Sequence, residues 1–149
     1  MLYPLMILLV GCMGAGTHGS IKSYQYHVPK STLERAVKSV IAGSNIIRQD
    51  TAKDYYNDDT TYLTVHISYG TISNEYTFRY GGGKEYWDTS KQSSVFIAYA
   101  YNKKREGGSV GNGGVKWYTP ALKKELTEPF EKVFISKIDS TLGMKHTEE

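Results

Sequence analysis

Apolar residues recur at three- and four-residue steps near both ends of the chain and at two-residue steps between them. Leu33, Ala36, Val37, Val40 and Ile41 make one continuous stripe at helical spacing. That stripe predicts a helix over 32–42. Ser31 followed by Glu34 has the spacing of a capping box, and Gly43 suits a left-handed closing residue. A second stripe runs Leu122, Leu126, Phe130, Val133, Phe134, Ile138, Leu142. Thr119 reads as its N-cap with Pro120 at the first helical position, and Gly143 as its end. Pro129 interrupts the stripe, so a kink is expected there, or two segments with Thr127 capping the second.

Between the helices the period changes to two. Leu63, Val65, Ile67 and Tyr69 alternate with Tyr62, Thr64, His66 and Ser68, the clearest strand in the chain (61–69). After a turn at 70–73, Tyr76, Phe78 and Tyr80 share one face of a second strand (74–80), which Gly81, Gly82 and Gly83 bring to a stop. A third strand (94–102) places Val95, Ile97, Tyr99 and Tyr101 opposite Phe96, Ala98 and Ala100, as a central strand with two covered faces would. Shorter strands are expected at 24–28, 45–50 and 115–118. The stretches 51–59 and 84–92 read as connections, and 103–114 as a charged, then glycine-rich loop. Short turns between consecutive strands favour antiparallel pairing, and two one-faced helices must bury their stripes somewhere. The expected fold is a two-layer α+β sandwich. Its mainly antiparallel sheet has four or five strands, with an N-terminal and a C-terminal helix on one face and the other face partly open.

Before the first of these elements lies the apolar run Leu2 to Val10, about half the ~20 residues that a membrane-spanning helix needs. It reads as a signal-peptide core. The run ends in Leu9-Val10-Gly11-Cys12, and Cys12 is the one cysteine in the 149 residues. This stretch resembles the lipobox of bacterial lipoproteins. The resemblance implies cleavage before Cys12, a diacylglyceryl group on its sulfur and attachment to the membrane through that lipid. It implies a place in the bacterial cell envelope, by default the outer membrane, facing the periplasm. On this reading residues 1–11 are signal peptide, 12–23 a lipidated flexible tether and 24–149 a single domain. With Cys12 carrying the lipid, no disulfide within the chain can help to hold the fold.

Composition narrows the function without identifying it. The net charge of +3 is too mild for a nucleic-acid partner, which calls for a concentrated basic face. His18, His27, His66 and His146 lack metal-ligand spacing, so neither a metal nor another cofactor is expected. The loop Asp54 to Asp59 gathers oxygen ligands but lacks the spacing, glycine and terminal glutamate of an EF-hand. Residues 107–114 lack the Gly-Lys-Ser/Thr ending of a phosphate-binding loop. The remaining signal is aromatic, with thirteen tyrosines and two tryptophans. A flat apolar ring carrying a polar tip suits protein, peptide or sugar recognition. The candidate ligand-binding residues are Tyr62, Tyr86, Trp87, Trp117 and Tyr118, and no catalytic residue is assigned. The expectation is a non-catalytic envelope lipoprotein that binds a protein, a peptide or a glycan. A periplasmic immunity or inhibitor protein is the narrower alternative. The enzymatic alternative is a wall or glycan hydrolase using carboxylates among Asp54, Asp58, Asp59 and Glu85.

Overall fold

A computed structural model describes residues 21–57, 60–109 and 119–148. The signal-like run, Cys12, Asp58, Asp59, Trp117, Tyr118 and the expected strand at 115–118 lie outside them. The fold is α+β, with a sheet larger than the four or five strands expected. Its strands are β1 (Lys22–Tyr26), β2 (Ile47–Gln49), β3 (Tyr55–Asn57), β4 (Thr60–Tyr69), β5 (Ile72–Tyr80), β6 (Ser93–Tyr101), β7 (Gly107–Gly108) and β8 (Thr147–Glu148). The order is β2-β4-β5-β6-β1-β8, with β3 paired to β4 and β7 to β6, and all of these pairings are antiparallel. The surplus over expectation is made of two- and three-residue strands, too short to show a period.

β1 begins inside the stretch read as tether, and Ile21 just before it is already buried. Ordered structure therefore reaches at least three residues upstream of the expected boundary at 24. The cause is the pairing of β1 with β6, in which Lys22 faces Ile97 and Tyr24 faces Val95. Composition alone does not reveal it.

The first helix, α1 (Lys30–Ala42), starts earlier than the capping box requires. Pro29 is its N-cap, with its carbonyl accepting from the backbone N–H of Thr32 and Leu33. Glu34 is drawn instead to Lys30 and Lys38, one turn on either side. Gly43 closes the helix in right-handed rather than left-handed geometry. Gly143 does take the expected left-handed form at the end of the last helix, with φ 65°.

Residues 84–92, expected as a connection, contain a short helix, α2 (Lys84–Thr89). The C-terminal helical stretch comprises α3 (Pro120–Phe130), a π-helical turn (Glu131–Ile135) and α4 (Ser136–Leu142). Thr119 caps it as expected, its hydroxyl accepting from the N–H of Leu122. Pro129 neither breaks the helix nor makes Thr127 a cap, because Thr127 lies buried within α3. The wide turn begins two residues after the proline. A proline cannot donate to the carbonyl four residues back, here that of Glu125, so the bond it removes lies within α3, before the π turn.

Helices and sheet share one core. Leu33, Val37 and Val40 of α1 and Phe130, Phe134 and Ile138 of the C-terminal stretch are buried with Tyr24, Val65, Tyr76, Phe78, Val95 and Ile97. Phe130 is its hub, with ring centroids of Tyr76 and Phe134 at 4.9 Å and Tyr24 at 5.9 Å. β6 departs from simple alternation. Opposite it, Thr77 pairs with Tyr99 but Phe78 with Ile97, leaving Ala98 as an inserted residue. That bulge moves Ala100 onto the core face opposite Tyr76 and turns Tyr99 and Tyr101 to the other side.

The second face is less open than expected. Thr64, Thr77 and Arg79 are at most 8% exposed there. Tyr62, on the same face, lies flat on Tyr55 of β3, with centroids 4.6 Å apart and planes at 7°.

Candidate functional site

The five aromatic candidates do not form one patch. Tyr62 is only 2% exposed, packed under Tyr55 and against the Arg79 guanidinium, so it is not a surface contact. β3 is the reason: it pairs with the start of β4 and sets Tyr55 directly opposite Tyr62, so that one ring covers the other. Tyr86 is 39% exposed on α2. Trp117 and Tyr118 fall outside the described residues. Trp87 is the candidate that lines a pocket.

That pocket, of about 340 Å³, lies between α1, the β3–β4 end of the sheet and α2. The glycine turn after β5 fixes Trp87 at its edge. The Gly81 carbonyl accepts the indole N–H of Trp87 at 2.7 Å, and the Gly82 carbonyl accepts from the guanidinium of Arg79. Gly82 has φ 87°, and a Cβ there would lie 2.7 Å from the Tyr86 ring. The turn therefore needs glycine, and it ties the indole to the sheet. Opposite Trp87 stand Tyr56, Thr60, Thr61 and Leu63 from β3 and β4, while Tyr80 at the end of β5 contributes a third aromatic residue.

One long side of the pocket belongs to Lys30, Glu34 and Lys38, spaced one helical turn apart on α1. Both lysines use the same carboxylate, Lys30 at 2.6 Å on one oxygen and Lys38 at 2.9 Å on the other. The hydrogen bond from Lys30, assisted by Lys38, holds the Glu34 carboxyl below its ordinary pKa despite partial burial. The Lys30 ammonium also sits over two rings, 5.1 Å from the Tyr80 centroid and 4.7 Å from that of Trp87. Among the described residues of the lining, two cations stand against one anion.

Tyr80 supplies the least satisfied group. It is 5% exposed, and its hydroxyl is buried without a hydrogen-bond partner. Burial, and secondarily the Glu34 charge, push that phenol's pKa up, so it keeps its proton and stays a donor. A buried donor with nothing to donate to is costly, and native structures hold few of them. Sequence reasoning missed Tyr80, Lys30 and Lys38. Tyr80 reads as the last core residue of its strand, and Glu34 reads as a helix cap.

Other polar clusters have internal roles. Asp54 accepts from the Thr64 N–H and the Gln49 side-chain amide, both at 2.8 Å, so its carboxylate anchors the chain against β4. His66 stands 3.4 Å from Asp50 and 3.5 Å from Glu75, and Glu75 also receives Lys53 and Arg105. No group of metal-ligating residues and no helix long and apolar enough to cross a membrane occurs among the described residues.

No protein-family model, curated protein or solved structure matches the chain.

Proposed function

We propose that the protein is a lipid-anchored lipoprotein of the bacterial cell envelope whose domain is a non-catalytic binding module. Its ligand, a protein, peptide or glycan, occupies the pocket between α1, β4 and α2. The observation that carries this reading is a pocket in which Tyr56, Tyr80 and Trp87 come together from three elements beside Lys30 and Lys38. Concave sites lined by aromatic side chains with a few convergent polar groups are where ligands usually bind. Lipobox-like residues Leu9 to Cys12 support the anchor.

Two measurements test it. Cells fed labelled palmitate should label the wild-type protein and not Cys12→Ser; an unlabelled wild type would remove the anchor. A photocrosslinker in place of exposed Tyr56 should give an envelope adduct in growing cells that disappears when Lys38→Glu or Trp87→Ala is added. An adduct indifferent to both substitutions, or no adduct, would remove the binding role of the pocket.

A further inference from the structure

We propose that β8 is a pH-sensitive latch on the edge of the sheet, closed over β1 while the His146 ring carries two protons and loosened when it carries one. The latch shares no residue with the candidate pocket and does not depend on its binding role.

The geometry behind it is one imidazole held between two carboxylates. β8 covers the outer edge of β1, with Tyr24 opposite Glu148 and Gln25 opposite Thr147. His146, immediately before β8, places its Nδ1 2.9 Å from Oδ2 of Asp139 on α4 and its Nε2 3.4 Å from Oε1 of Glu148. Ionised carboxylates only accept hydrogen bonds, whereas a neutral imidazole has one N–H and one bare nitrogen. Both contacts are therefore attractive only for the imidazolium.

The proton that stays is the one on Nδ1. Asp139 is committed as an acceptor, since it also takes the Tyr26 hydroxyl at 2.8 Å and the His146 backbone N–H at 3.3 Å. Loss of the other proton turns a bare Nε2 toward Glu148. Burial would raise the Glu148 carboxyl, but hydrogen bonds from His146 and Lys22 hold it below its ordinary value. It therefore stays charged through pH 5 to 8, the range in which histidines change charge.

The other groups around the ring keep their state in that range. Tyr24 stands edge-on to it at 5.3 Å and Tyr26 lies 6.3 Å away. Burial raises both phenols, with Glu131 adding to the effect on Tyr24 and Asp139 to that on Tyr26, so both remain neutral. Lys22 reaches Glu148 at 3.3 Å and also pairs with Glu131. Burial opposes its charge, but the two glutamates outweigh it and the ammonium persists. Because Lys22 still holds Glu148, losing the His146 contact loosens β8 without freeing it. The sign follows: the closed latch is favoured at acid pH and weakens as pH rises through the His146 titration.

NMR of the protein from pH 5 to 8 tests this. Protection factors of the amides that join β8 to β1, which remove the intrinsic pH dependence of exchange, should fall by about threefold across the range. The β8 amide shifts should titrate with the same midpoint as the His146 ring nitrogens. His146→Gln should leave β8 protection independent of pH. Glu148→Gln, at an exposed site, gives the bare nitrogen an amide donor and should keep β8 closed at pH 8. A His27→Gln background removes the exposed histidine that follows β1. Constant protection in the wild type, a fall of equal size in His146→Gln, or different midpoints for ring and strand would overturn the latch.

Discussion

The Lys30 ammonium lies 4.7 Å from the centroid of the Trp87 ring, joining the first residue of α1 to the short helix after the glycine turn. Neither residue belongs to the main core stripe. Together they close one end of the candidate pocket. A cation over an indole contributes about 0.5–1 kcal/mol when partly exposed. Lys30→Met should therefore lower the unfolding free energy by about that amount. A denaturant midpoint indistinguishable from wild type would show that the contact carries no stability.

Two tyrosines of the same strand should respond in opposite ways to loss of their hydroxyls. Tyr76 donates to the Leu126 carbonyl at 2.6 Å and accepts from Asn74 at 2.9 Å, both buried. Tyr76→Phe strands those two groups and should cost about 1–3 kcal/mol. Tyr80→Phe removes a hydroxyl that has no partner and should leave stability equal or higher. Urea unfolding of the two variants side by side decides it; a destabilised Tyr80→Phe would mean that the hydroxyl has an acceptor.

Phe130 is fully buried where α3 meets the π turn, and it touches rings from β1, β5 and the turn itself. Truncation to alanine should cost about 3–5 kcal/mol, enough to consume much of the stability of a domain of this size. Thermal unfolding monitored by circular dichroism would show it. A drop in midpoint of only a degree or two would indicate that the neighbouring rings collapse into the space.

Gly82→Ala places a side chain at φ 87° and 2.7 Å from the Tyr86 ring. The backbone term alone is about 1–2 kcal/mol, while Tyr86 is exposed enough to move aside. The larger expected effect is on the pocket. Displacing the turn shifts the carbonyls that hold Arg79 and Trp87, so ligand affinity should fall by more than stability does. Equal losses in both would make the turn a structural element alone.

Acid should loosen two carboxylates that the fold holds below their ordinary pKa. Glu34 is lowered first by the hydrogen bond from Lys30. For Glu75 burial is the largest single influence and would raise it, but Lys53, then Arg105 and His66, together bring it below its ordinary value. Because their folded values lie below the unfolded one, these groups contribute stability above the ordinary 4.5 that is lost as pH falls through the folded values. Glu34→Gln should flatten the stability profile below that point. The effect should be small and weakened by salt, since the partners are solvent-exposed in part. An unchanged acid limb in both Glu34→Gln and Glu75→Gln would exclude the contribution.

What the sequence determined by itself was whatever repeats over several turns or residues. The α1 stripe from Leu33 to Val40, the alternation of Leu63, Val65 and Ile67, the Thr119 cap and the Gly143 stop are all local, and each appears where its pattern points. What only the tertiary structure decided depended on a partner far along the chain. β1 exists from Lys22 because β6 pairs with it, and the Ala98 bulge redirects Tyr99 and Tyr101 through the register of β5. Glu34 became a bridge between two lysines rather than a cap because Pro29 had already begun the helix. The pocket belongs to this second kind. Lys30, Tyr56, Tyr80 and Trp87 come from four separate elements, and no spacing relates them. Only the closure of the sheet against α1 buries the Tyr80 hydroxyl without an acceptor, and a missing partner leaves no mark in the sequence.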